Sequence, residues 1–386
     1  MTSHSAALDL LADLQLRAFK NAGRPPTVYD EQWLALWLAQ QQESIPTFST
    51  KSPHYERLRN TIRDLPTPYQ DPFWFGILKD LRSKIEASIK QYDADHRTPT
   101  VIPAVYCGSV LRLNRLLAQS IFIEDEYLAI FDSSLFTFVF LFAKSVASCL
   151  PLDKLDLTLL EPMDVVSHLL ANPGCTEAFL DVLLNVLIHS DPGRTRPTQL
   201  RGPRMVFAQW ICDATELFIL GHEYGHIINE HAMEGSILLP DHKQPHGTPT
   251  SWLREFEADR VGGVLSSLAL QRSGTPGFQS FIGADFFFIL ATLIYEGTVV
   301  LEHGDQESTQ EQPLSPKVEG AYPPNALRGM RLADALREDL DPAICAAVEN
   351  IKSTLWTACH YIFERIEPIL LQLHRQGIRP GIKWTL

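Results

Sequence analysis

The sequence predicts an α+β fold that is mostly α-helical, with a small β-sheet beside one central helix. Helically spaced leucines and aromatics recur from Leu8 onward. Between residues 101 and 131 the pattern changes to short apolar runs rich in Ile, Val, Phe and Tyr, which read as strands. A long apolar helical pattern then carries His222 and His226, one turn apart. The chain has 386 residues, 45% of them hydrophobic and 20% charged, which is ample material for a large core.

In chain order, Leu8 to Phe19 and Glu31 to Gln42 carry helical repeats, the second built around Trp33, Leu34, Leu36 and Trp37. Prolines at 25, 26, 46, 66, 68 and 72 break this region into short pieces. Leu78 to Tyr92 is one more amphipathic helix, and His96-Arg97-Thr98-Pro99 marks a boundary. The division that follows is a helical accessory region over 1–97 and a second unit over 98–386. Val101 to Tyr106, Ser120 to Glu124 and Tyr127 to Phe131 are the expected strands, the last two forming a hairpin around Glu124-Asp125-Glu126. From Leu135 onward helical signals dominate. Gly235 to Ser251 and His303 to Tyr322 read as polar loops, and the composition of 303–322 makes it a mobile one.

Several function classes are excluded. A net charge of -13 leaves no basic footprint for nucleic acid. Asp9 and Asp13 interrupt the first apolar stretch, which has no basic flank, so it does not read as a secretory signal. Leu135 to Val146, interrupted by Lys144, and Phe286 to Tyr295, bounded by Asp285 and Glu296, are apolar runs nearer ten residues than the ~20 that a span requires. Both are expected to be buried helices, without a membrane span. Six cysteines, at 107, 149, 175, 212, 345 and 359, include no CxxC pair and fit reduced thiols in a cytoplasmic protein.

The chemistry concentrates in His222-Glu223-Tyr224-Gly225-His226. Histidines at i and i+4 share a helix face and can reach one metal ion, and the glutamate beside the first can deprotonate a water that the metal activates. A catalytic zinc takes three protein ligands and keeps one open position. The metzincin pattern would place Gly at 229 and His at 232, where the chain has Asn229 and Ala232, with His231 out of register. The gluzincin pattern, a glutamate on a second helix, is met by Glu255, with Asp259 one turn later on the same face. Asp259 is then placed to accept the outer N–H of a ligand imidazole and fix its tautomer. His231 reads as a helix-end residue, His242 and His246 as solvated loop residues, and Phe286 to Phe288 as core.

HExxH followed by ExxAD, here Glu255 to Asp259, resembles the minigluzincin peptidases, HtpX and the CAAX prenyl proteases among them. Those enzymes carry a downstream HPPxxxR, and this chain has Tyr322-Pro323-Pro324-Asn325-Ala326-Leu327-Arg328, with tyrosine in place of the histidine. The text around Ser120 to Ile123 and Asp132 to Leu135 is also similar to that family's strands, and the resemblance spans roughly 100–335. It implies a zinc endopeptidase acting on a protein or peptide, as a soluble member without membrane helices. Zn²⁺ would sit on His222, His226 and Glu255, with Glu223 the base and Asp259 behind the ligands. Tyr322 or Arg328 would stabilise the developing oxyanion, or Arg328 would anchor the carboxylates. An edge strand near Ile121–Phe131 would take the substrate. Lit-type peptidases are a more distant resemblance, as soluble HExxH proteins. The alternative reading is a regulatory or interaction protein with a vestigial or latent peptidase domain.

Overall fold

A computed structural model describes residues 5–96, 100, 102–111, 118–152, 161–230, 250–275, 281–304, 323–337 and 342–382. Among these the chain is mostly helical, with one three-stranded sheet, as the α+β reading expects. The first helices are α1 (Ala6–Asn21), α2 (Glu31–Ser44), α3 (Pro53–Arg63) and α4 (Pro72–His96). Ser5 caps α1 by accepting from the Leu8 N–H, and Asp30 caps α2 through the Trp33 N–H at 2.8 Å. α3 lies in the proline-broken stretch expected to yield only short pieces. Its start is a Ser52 cap followed by Pro53 in the first turn, a pairing that favours helix initiation.

The sheet comprises β1 (Ala104–Val110), β2 (Ala118–Ile123) and β3 (Glu126–Asp132), in the order β1-β3-β2. β2 and β3 form the expected hairpin, closed by Glu124 and Asp125 with φ of 46° and 66°. Positive φ at both positions is the geometry of a type I′ turn, whose twist matches that of the strands. β1 begins three residues later than expected and runs parallel to β3. β3 is therefore central and paired on both sides. The expected substrate edge near Ile121–Phe131 is corrected accordingly: only its β2 half lies at the rim of the sheet.

Both faces of β3 are covered. Leu128 and Ile130 face Ala7 and Leu11 of α1, while Tyr127, Ala129 and Phe131 join the main core on the other side. The remaining helices are α5 (Ser133–Cys149), α6 (Pro162–Ala171), α7 (Gly174–His189), α8 (Pro203–Ile228), α9 (Thr250–Arg272), α10 (Ile282–His303), α11 (Asn325–Arg337) and α12 (Pro342–Arg375). Asp132 turns the chain from β3 into α5 by accepting from the Ser134 N–H at 2.7 Å. α8 is buried along most of its length and forms the axis of the molecule, packed by α4, α5, α9 and α10.

The expected polar loops are trimmed at their edges, since Thr250 and Ser251 belong to α9 and His303 to α10. Residues 235–249 and 305–322, including His242, His246 and the body of the expected mobile loop, lie outside the described residues, as does His231. α10 extends well beyond the ten-residue apolar run read from the sequence. By length and composition it is long and apolar enough to cross a membrane, and 61% of its most apolar window is buried inside the fold. Phe286 and Phe288 are buried, as core residues should be.

Candidate metal centre

α8 and α9 meet through small residues. A Cβ on Gly225 would lie 2.7 Å from the Ala258 backbone, and one on Gly262 would lie 2.7 Å from the His222 nitrogen. Only with glycine at these positions can the two backbones come this close. That contact brings one turn of α9, Glu255 to Asp259, against one turn of α8, His222 to His226.

Three side chains converge there. His222 Nε2 and His226 Nε2 are 3.1 Å apart. Glu255 Oε2 lies 3.5 Å from His222 Nε2, and Glu255 Oε1 lies 3.5 Å from His226 Nε2. A tetrahedral ion with bonds of about 2.0–2.2 Å holds its ligand atoms about 3.3–3.6 Å apart. The three separations match the edges of such a tetrahedron to within a few tenths of an ångström. The triad could thus hold a metal ion; Glu255 is buried and the two histidines are largely so.

The ligand atoms are held from behind. His222 Nδ1 lies 2.9 Å from Asp259 Oδ1, which leaves Nε2 free to present a lone pair to the metal position. Arg328, from α11, donates to Asp259 through Nε at 2.8 Å and Nη2 at 2.7 Å, and Nη2 also lies 3.4 Å from Glu255 Oε2. It is 2% exposed, and its guanidinium stacks 5.2 Å from the Phe288 ring centroid. Burial pushes the Asp259 carboxyl up, but the charge and hydrogen bonds of Arg328, with those of His222, outweigh it and hold the carboxyl below its ordinary value. Burial alone would lower His222; the Asp259 hydrogen bond and the Asp259 and Glu255 charges reverse the direction and raise it.

Glu223 is 4% exposed, and its Oε2 has no hydrogen-bond partner among the described residues. Burial, reinforced by the Glu255 charge and opposed by His222, pushes its carboxyl up to about 7. A buried carboxylate oxygen without a partner is costly to keep, and such groups concentrate where a ligand or reacting water completes them. The Ser120 hydroxyl on β2 hydrogen-bonds this carboxylate, which ties the outer strand to the site.

The structure brings His222, His226, Glu255, Glu223, Asp259 and Arg328 together. Of the two roles weighed for Arg328, its bidentate grip on Asp259 matches that of carboxylate anchor. Tyr322 lies outside the described residues. Ser120 and the close helix contact were missed in the sequence. The contact did leave a signal, since Gly221-x-x-x-Gly225 and Ala258-x-x-x-Gly262 place small residues one turn apart on both helices. Among known proteins, no family model, no curated protein and no solved structure matches the chain.

Proposed function

We propose that the chain is a zinc-dependent endopeptidase of the gluzincin kind, acting in the cytoplasm on a protein or peptide substrate. One observation carries the reading: a His, His, Glu triad at tetrahedral spacing stands beside a buried, half-unpartnered glutamate one residue from a ligand. Two nitrogens and one carboxylate are a donor set that suits zinc in a catalytic site, and a structural site would have little use for the extra carboxylate. The resemblance to the minigluzincin motifs, and more distantly to Lit-type peptidases, agrees with this choice.

Zinc, when bound, supplies Lewis-acid charge that acidifies water and polarises a carbonyl. The chain's own residues do the rest. Glu223 accepts the proton of the attacking water on its free carboxylate oxygen and returns it to the leaving amine nitrogen. Asp259, gripped by Arg328, retains the proton on His222 Nδ1 so that the ring does not rotate or change tautomer. The rim position of β2 suits an extended peptide that adds as a further strand, and the Ser120 contact sets that strand beside Glu223. Tyr322 is proposed as a donor to the developing oxyanion, on the strength of its place in the 322–328 motif.

The test is terminal-peptide profiling of cell extracts treated with the zinc-loaded wild-type chain or with Glu223→Gln. Cleavages made by the wild type should fall by at least about 100-fold in the variant while zinc content stays the same. Equal cleavage by both chains, or none by either with zinc bound, would instead favour the regulatory protein with a latent peptidase domain.

A further inference from the structure

Away from the metal centre, two cysteines meet where three helices end or begin. Cys149 is the last residue of α5 and Cys175 the second residue of α7. The Cys175 thiol donates to the Ser148 carbonyl at 3.1 Å, and the Cys149 thiol donates to the Cys175 carbonyl at 3.6 Å. The two thiols also act on each other electrostatically. Arg204, at the start of α8, lies close enough to act on Cys175 electrostatically, with its Nη2 3.4 Å from His168 Nε2 of α6.

The two sulfurs differ in access and in charge. Cys149 is fully buried, whereas Cys175 is partly open and follows the exposed run 171–174. The adjacent Cys149 thiol, with help from Arg204 and against burial, lowers the Cys175 thiol to about 7. The first-turn N–H groups of α7 act in the same sense. The adjacent Cys175 thiol and burial push the Cys149 thiol up. A partly exposed thiol with a buried thiol behind it is the arrangement of an attacking and a resolving cysteine.

We propose that Cys175 and Cys149 form a redox-active dithiol that reacts with low-molecular-weight disulfides and closes to an intramolecular disulfide. The Cys175 thiolate attacks one sulfur of R–S–S–R, forming Cys175–S–S–R and expelling R–S⁻, which takes a proton from solvent. Cys149 then loses its proton to solvent and attacks the Cys175 sulfur. This forms the Cys149–Cys175 bond and expels a second R–S⁻, which is protonated in turn. Two protein thiols are oxidised, and one small disulfide is reduced to two thiols. The product pins the end of α5 to the start of α7, and α5 packs directly on the metal-bearing helix α8.

The test uses the full zinc-loaded chain in buffers of stepped reduced-to-oxidised glutathione ratio, read by non-reducing peptide mapping and thermal melting. A linked Cys149–Cys175 peptide should accumulate as the ratio becomes oxidising, with a rise in the melting midpoint. Cys149→Ser should stop at a Cys175–glutathione adduct, and Cys175→Ser should leave Cys149 unmodified. The partly buried Cys345 provides the internal comparison. The proposal fails if wild type yields no linked peptide at full oxidation, if Cys345 is modified while Cys175 stays a thiol, or if Cys149 pairs instead with the neighbouring buried Cys359.

Discussion

Arg328 within the site and Glu216 outside it show how burial acts on single charged residues. Arg328 is a buried charge whose fork is spent on Asp259, so its planar geometry matters as much as its sign. Arg328→Lys keeps the charge and loses the paired hydrogen bonds; zinc affinity should fall about 10–100-fold. Arg328→Met leaves the buried Asp259 with His222 alone beside it and should cost about 3–5 kcal/mol of stability. Unchanged zinc affinity in the lysine variant, measured by competition with a chelator, would remove Arg328 from the site's support. Glu216, also on α8, accepts from the Cys212 thiol at 3.2 Å, and burial pushes its carboxyl up to about 7. Between pH ~4.5 and ~7 the folded chain therefore binds a proton that the unfolded chain has released, so this group's contribution to stability falls as pH rises through that window. Glu216→Gln should be more stable than wild type by about 2–3 kcal/mol at pH 8 and equal to it near pH 4.5, in denaturant melts. His222, Glu223, His226, Glu255 and Asp259 were legible because a helix's 3.6-residue period fixes which side chains share a face. Ser120 was not, because its approach to Glu223 depends on how a strand lies across a helix a hundred residues away.

At the scale of elements, the site is a consequence of how closely α8 and α9 approach. Gly262→Ala would place a methyl group 2.7 Å from the His222 nitrogen, and no flexible side chain is available there to yield. Separating the helices should cost about 1–3 kcal/mol. It should also weaken zinc binding more than an equally destabilising substitution far from the contact, such as Leu58→Ala on α3. Equal losses of affinity in the two variants would show that helix spacing does not set the ligand geometry. Elements with strong internal signals were legible in advance: α1 and α2 by periodicity, and the β2–β3 hairpin by its apolar runs. Their packing partners were not. Nothing in the repeat of α1 says that Leu11 covers the sheet at Ile130, because an amphipathic face states only that something must cover it. β1 lay beyond its expected limits for the same reason, since its register is set by parallel pairing with β3, a long-range choice.

For the molecule as a whole, α8 is both the centre of the core and the carrier of two of the three candidate metal ligands. Phe207, Ile211, Leu217 and Leu220 are buried on the same helix that presents His222 and His226, each side chain contributing about 1.5–3 kcal/mol by leaving water. A helix held so firmly makes a rigid platform, which a metal centre needs if its ligands are to stay within a fraction of an ångström. α10 owes its apolar length to this arrangement, as it lies against α8 and α12 with most of its apolar window covered. The candidate ligands come from two helices and their support from a third, so the triad's geometry depends on the intact fold rather than on any one motif. The most direct measurement is zinc content with X-ray absorption of the purified chain, wild type beside Glu255→Ala. Wild type should hold about one zinc per chain, bound by two imidazole nitrogens and carboxylate or water oxygens at about 2.0–2.2 Å, and the variant should lose most of it. A wild-type chain that takes up no stoichiometric zinc when folded, or a variant with the same zinc and the same surroundings, would contradict the account.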